Sequence, residues 1–99
     1  MITSMTDFQR EVLDSKDPVL VDFYADWCGP CKSLDTVLGT IKDTRVVKVN
    51  VNKANDVAGA FMIQTVPTTI MFSSGKVTGV IEGLRPRERY IELIGGGCL

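Results

Sequence analysis

Two cysteines three residues apart, Cys28 and Cys31 in the run Trp27-Cys28-Gly29-Pro30-Cys31-Lys32, are the side chains of this sequence best suited to chemistry. A dithiol at that spacing can exchange with a disulfide or hold one side of a zinc ion. Exchange runs through the thiolate, and a thiol with an unperturbed pKa of about 8.5 is only about 3% ionised at pH 7. Placement must therefore lower the pKa of one sulfur. Just after the pair, Leu34, Val37, Leu38 and Ile41 recur at the spacing of an amphipathic helix. Cys28 is thus predicted immediately before a helix, where unpaired backbone N–H groups and the positive end of the dipole favour a negative sulfur. Cys31 falls within the first turn, near enough to reach the sulfur of Cys28, and is expected to be the more enclosed of the two.

Cys28 is accordingly the expected nucleophile and Cys31 the resolving thiol. Cys28 attacks a substrate disulfide and forms a mixed disulfide, which Cys31 then displaces to leave Cys28–Cys31 oxidised. Pro30 is tolerated in the first turn, where its missing N–H would have had no partner, and it stiffens the loop between the sulfurs. Gly29 leaves the approach to Cys28 open. The zinc alternative needs four ligands. The sequence has no histidine and no second cysteine pair, and Cys98 supplies only one more thiol.

The rest of the composition narrows the function further. With no histidine, Ser-His and Cys-His catalysis within the chain are excluded. Eleven basic against twelve acidic residues give a net charge of -1, which leaves no electrostatic excess to recruit nucleic acid or an anionic membrane. Ninety-nine residues, 44% hydrophobic and 23% charged, suit a single folded domain over residues 1–99. Met1 to Asp7 lacks the basic start and apolar run of a signal peptide, and no stretch approaches a membrane span. The expectation is a cytoplasmic, soluble monomer.

The elements that must position the dithiol follow from local patterns. Met1 to Met5 is predicted as a short leading strand. Thr6-Asp7-Phe8-Gln9 matches a capping box that opens a first helix, with Phe8, Val12 and Leu13 on one face and Asp17-Pro18 closing it. Val19 to Tyr24 is an almost wholly apolar run of strand formers in which Asp22 is the anomaly. Val46 to Val51 predicts another strand, Ala54 to Met62 a short helix, and Thr65-Val66-Pro67-Thr68 a break. Thr69 to Phe72 and Val77 to Glu82 flank the turn Ser73-Ser74-Gly75-Lys76 as a hairpin, and Pro86 opens a last helix burying Tyr90, Leu93 and Ile94. The run Gly95 to Gly97 ends it, with a mobile tail expected beyond. The predicted class is α/β, in the order β-α-β-α-β-α-β-β-α, with a central mixed sheet flanked by helices.

The segment Val19 to Lys32, with its Trp-Cys-Gly-Pro-Cys-Lys ending, resembles the active-site signature of thioredoxins. Val66-Pro67-Thr68, about thirty-five residues downstream, is similar to the family's cis-proline segment. The resemblance extends along nearly the whole chain and implies the thioredoxin fold and a protein-disulfide reductase recharged by thioredoxin reductase or a similar donor. It implies no metal, flavin or nucleotide cofactor, the redox-active group being the Cys28–Cys31 disulfide. Asp22, six positions before Cys28, matches the family's buried aspartate that assists proton transfer at the second cysteine. Burial among apolar neighbours should raise its pKa and suit it to accept a proton near neutrality. Lys48 is similar to the family lysine that lies near this aspartate. Trp27, Gly29, Pro30, Val66, Pro67 and Gly83 resemble the flat apolar surface on which thioredoxins dock their partners, with the backbone of Val66 pairing with an extended substrate.

Some positions depart from the family pattern. The stretch from Cys31 to Lys48 is several residues shorter than usual and Thr36 replaces a helix-kinking proline, which implies a shorter, straighter helix. Glu82 before Gly83 adds a negative charge to the docking surface and favours a different reductase or substrate set. Cys98 has no counterpart and reads as an incidental thiol. Two other functions remain open at this point: a glutathione-linked, glutaredoxin-like reductase, which Gly-Pro between the cysteines argues against, and a thioredoxin-fold binding subunit of a larger complex.

Overall fold

The chain opens on a helix. In the computed structural model, which describes residues 2–95, Ser4 is the N-cap of α1 (Met5–Phe8) and accepts from the Asp7 N–H at 3.2 Å. The Asp7 carboxylate reaches back to the N–H and hydroxyl of Thr3, each at 3.1 Å. These bonds commit the backbone of Thr3 and Asp7 to a helix start. They correct two expectations. The leading strand over Met1 to Met5 does not form among the described residues, and the cap lies at Ser4 rather than Thr6. Ile2 is nevertheless buried in the core. α1 continues directly into a π-helical turn, Gln9–Leu13, which periodicity did not announce. Phe8 and Val12 are buried and Leu13 packs half-buried against them.

Four strands among the described residues form one mixed sheet in the order β2-β1-β3-β4: β1 (Val19–Tyr24), β2 (Arg45–Asn50), β3 (Thr68–Ser73) and β4 (Lys76–Glu82). β1 runs parallel to β2 and antiparallel to β3, and β3 and β4 form the predicted hairpin. The helices are α2 (Gly29–Leu38), α3 (Asn55–Ala60) and α4 (Arg87–Ile94). The order is therefore the predicted one without its first strand.

Because side chains alternate along a strand, β1 serves two cores. Val19, Val21 and Phe23 meet Phe8, Val57 and Phe72 on one face, where Phe8 and Phe72 stack edge to face at 5.5 Å. On the other face Leu20 joins Leu34, Leu38, Met71, Ile81, Tyr90 and Leu93 of α2, β3, β4 and α4. Asp22 lies on that second face, two residues along from Leu20. α2 is ten residues long and ends at Leu38, so Ile41 is buried from the turn that follows rather than from the helix. The tail expected to be mobile, with Cys98, lies outside the described residues.

The hairpin turn requires its glycine. Ser74 and Gly75 both have positive φ, 51° and 79°, as a two-residue turn between twisted strands demands. A Cβ on Gly75 would also stand 2.6 Å from the Leu13 carbonyl oxygen. Gly75→Ala is expected to destabilise the protein by about 1–3 kcal/mol, measured as a lower urea midpoint at unchanged slope.

Candidate active site

The dithiol sits at the junction of β1 and α2. Ala25 to Trp27 turn the chain out of the sheet, and Cys28, with extended backbone (φ -94°, ψ 110°), caps α2. Pro30 follows in the first helical turn. Cys28 and Cys31 form a disulfide whose Cα atoms are 5.3 Å apart, so the oxidised form is the one described. Cys28 Sγ accepts a hydrogen bond from the Cys31 backbone N–H at 3.1 Å. The N-terminal dipole of α2 thus bears on the sulfur predicted to carry charge. Both cysteines are buried to the same degree, 4% exposed, packed with Ala25 and against Tyr24, Val51 and Val66. The expected greater enclosure of Cys31 is therefore not found. The helix-end hydrogen bond, not burial, distinguishes the sulfurs, because only the residue at the cap can turn its side chain back onto the exposed N–H groups.

Asp22 is fully buried in the middle of β1. Neither of its carboxylate oxygens has a hydrogen-bond partner among the described residues. Burial pushes its carboxyl up to about 6; Lys48 pulls the value down and Asp35 pushes it up. Lys48 is the register neighbour of Asp22 on β2, as the resemblance implied, but its ammonium goes elsewhere. It lies 2.8 Å from Asp35 Oδ1 and 4.5 Å from the centre of the Tyr24 ring. Burial works against the Lys48 charge, yet the bond to Asp35 and the nearby Asp22 and Tyr24 outweigh it and hold the ammonium above the ordinary lysine value.

Asp35 was not singled out from the sequence. Its signal is the four-residue step from Cys31, which on a helix places the two on one side. A cavity of about 150 Å³ opens there, lined by Tyr24, Ala25, Asp26, Cys31, Lys32, Asp35 and Lys48. It reaches the side of Cys31 from solvent.

The other predicted residues spread around the sulfurs at different depths. Trp27 is 73% exposed, and Gly29 and Pro30 are exposed beside it. A Cβ on Gly29 would meet nothing within 4 Å, so the approach to Cys28 is open. The Val66–Pro67 peptide bond is cis. Val66 is half-buried, but Pro67 is buried, which corrects its place in an exposed apolar surface: it contributes backbone, and its carbonyl accepts from the Gly83 N–H at 2.8 Å. Gly83 is half-buried with φ 77°. Tyr90 fixes this corner from α4, donating to the Gly83 carbonyl and accepting from the Arg85 N–H, both at 3.2 Å. Glu82 is exposed next to Gly83.

A disulfide at a helix start, a buried unpaired carboxyl in the strand before it and a cis-proline loop is an arrangement for thiol–disulfide exchange. The thioredoxin family model matches residues 1–95. The chain belongs to the thioredoxin family. It is 37% identical to thioredoxin C-2 of Corynebacterium nephridii over 93% of this chain and 90% of that protein. It is 35% identical to the chloroplastic thioredoxin Y2 of Arabidopsis thaliana over 92% of this chain and 58% of that one. Among solved structures, a single-site mutant of thioredoxin from Halobacterium salinarum NRC-1 superposes with a TM-score of 0.80 at 35% identity, covering 90% of this chain and 81% of that chain.

As a thioredoxin-family member with the Cys-x-x-Cys pair, the chain is a protein-disulfide oxidoreductase working by dithiol–disulfide exchange. The glutathione-linked and binding-subunit readings are not favoured by these relationships. Among the described residues, no helix is long and apolar enough to cross a membrane.

Proposed function

We propose that Cys28 is the attacking sulfur, Cys31 the resolving one and Asp22 the acceptor of the proton that Cys31 must lose. In the reduced enzyme the Cys28 thiolate attacks one sulfur of a substrate disulfide; a new S–S bond forms and the substrate's other sulfur leaves as a thiolate that takes up a proton. The Cys31 thiol passes its proton toward Asp22 and attacks Cys28 Sγ, breaking the mixed disulfide and releasing the second substrate thiolate. Two electrons have then moved to the substrate, and the protein is left in the disulfide form described above.

The observation that carries this reading is the hydrogen bond from the Cys31 N–H to Cys28 Sγ at the start of α2. After reduction the same donor faces a sulfur that can be charged, and a hydrogen bond to the charged form lowers a pKa. Alkylation of the reduced protein across pH 5–10, with the modified cysteine identified by mass spectrometry, tests it. Cys28 is expected to react first and with a midpoint below that of a free thiol. Equal reactivity of both thiols, at the rate of free cysteine, would remove the basis for the assignment.

Docking follows from exposure. A tryptophan left largely in solvent beside the nucleophile is suited to bury against a protein partner, and such aromatic side chains carry much of the energy of an interface. Trp27→Ala is expected to raise the KM for a protein disulfide several-fold with little change in unfolding free energy, measured by steady-state kinetics and urea unfolding. Gly29, Pro30, Val66 and Gly83 complete the contact surface, and the exposed Glu82 biases it toward partners with a basic rim. The electron donor is a thioredoxin reductase or an equivalent disulfide reductase, and no bound metal, flavin or nucleotide takes part in the exchange. A monomer acting in a reducing compartment, the cytoplasm, suits a dithiol that must be kept reduced, although relatives such as thioredoxin Y2 are named as chloroplastic.

A further inference from the structure

Lys48, Asp22, Thr69 and Ile81 form one row across the sheet, each the register neighbour of the next. The two in its middle, Asp22 and Thr69, are fully buried. Directly opposed residues on an antiparallel pair share a face, with Cβ atoms about 4.5–5.5 Å apart. Both carboxylate oxygens of Asp22 and the hydroxyl oxygen of Thr69 lack a hydrogen-bond partner among the described residues. Three unpaired polar atoms on two adjacent side chains are thus enclosed in the same place, and buried polar groups are not left so without a reason. Leu20, Met71 and Ile81, beside this pair on the same face, are apolar. An aliphatic side chain at residue 69 would fill the space without the cost of an unbonded hydroxyl.

The charged and titratable groups whose fields couple to Asp22, namely Lys48, Asp35 and Tyr90, are engaged elsewhere. Lys48 on β2 is bonded to Asp35 of α2, and the Tyr90 hydroxyl on α4 is shared between Gly83 and Arg85. Cys28 and Cys31 at the start of α2 are joined to each other. The Thr69 hydroxyl carries one donor, and rotation about χ1 swings it between staggered positions on the same face.

We propose that Thr69 is a positioning residue for the proton step, its hydroxyl turning to donate a hydrogen bond to the Asp22 carboxylate once that group is ionised. The inference rests on Asp22 as the proton acceptor. The bond favours the charged form that can take the Cys31 proton, a stronger acceptor than the neutral acid, and holds it in one orientation; in the disulfide form described the hydroxyl has not made it.

The test is the titration of the Asp22 carboxyl, followed by carbon NMR in the reduced and oxidised protein, together with the pH dependence of insulin-disulfide reduction. Thr69→Val keeps the shape and removes the donor; its Asp22 midpoint is expected to rise by about one pH unit, and Thr69→Ser is expected to restore it. In an Asp22→Asn background, Thr69→Val should leave the remaining pH–rate profile unmoved. If Thr69→Val does not fold, Thr69→Ala serves as the second variant, with the same expected rise. An Asp22 midpoint unchanged in the valine or alanine variant overturns the proposal. A midpoint that moves while the rate profile stays still supports the Thr69–Asp22 bond and refutes Asp22 as the acceptor in turnover.

Discussion

Replacing Cys28 with serine is expected to bring protein-disulfide reduction down to the uncatalysed rate, a loss on the order of a thousandfold or more for a nucleophile that forms a covalent intermediate. A serine hydroxyl does not ionise near neutrality and cannot form the mixed disulfide, so the stabilisation offered by the Cys31 N–H at the head of α2 has no anion to act on. Cys31→Ser should fail differently. Its Cys28 still attacks, but nothing within the chain displaces the product, and the variant should accumulate as a covalent adduct with its substrate. The two variants are separated by non-reducing electrophoresis after incubation with a disulfide protein: an adduct with Cys31→Ser and none with Cys28→Ser. The reverse pattern would exchange the roles of the two sulfurs. Appreciable turnover by Cys28→Ser would place the chemistry outside this pair.

The second large effect is on pH. The folded-state carboxyl of Asp22 is raised from 3.8 to about 6, with burial as the main cause. The unfolded chain therefore loses this proton at lower pH than the folded one, and between those values the folded state holds more protons. Stability attributable to Asp22 is highest below pH 4 and declines as pH rises through about 6, by about 3 kcal/mol in all. This is the reverse of the salt-bridged carboxylate, which stabilises at neutral pH. Asp22→Asn is expected to remove that slope and to be the more stable protein at pH 7–8, measured as urea unfolding free energies from pH 4 to 8. An equal slope in both proteins would show that the buried carboxyl is not the source.

The same variant should lose turnover. Without the acceptor, Cys31 must lose its proton to water, and reduction near pH 7 is expected to slow by at least about tenfold while recovering toward higher pH, where the thiol ionises unaided. A variant that is both more stable and slower would show that the strand tolerates a buried charge because the reaction uses it. Asp35→Asn offers a smaller and separate check. Freed from Asp35, the Lys48 ammonium can turn to its register neighbour Asp22, lowering that carboxyl and moving the acid side of the rate profile downward.

Local chemistry made much of this legible from residue types alone. Cys28 and Cys31 declared themselves because the stripe of Leu34 and Leu38 placed them at a helix start, which depends only on neighbouring residues. The hairpin around Ser74 and Gly75 was equally local, since positive φ at a two-residue turn favours glycine. Asp22 stood out as a charge in an apolar run, and its burial in a central strand bears out that contrast. The docking residues came from the family resemblance, and there depth mattered: Trp27 lies in solvent while Pro67 is buried.

What residue types and spacing determined, then, was the helices after β1, the hairpin and the dithiol, because each is set by interactions within a turn or two of the chain. At the beginning of the chain the helix carrying Phe8 and Val12 was legible but its start was not: Thr3, Ser4 and Asp7 offer a competing local cap to the Thr6–Gln9 box, and Ile2 is held by burial in the core rather than as a strand residue. The resemblance put Lys48 near the carboxyl, but where its ammonium goes and what else surrounds Asp22 were decided by the tertiary fold. Lys48 comes from β2, Thr69 from β3 and Asp35 from α2, and the register that gathers them around Asp22 is fixed by packing both faces of β1 at once.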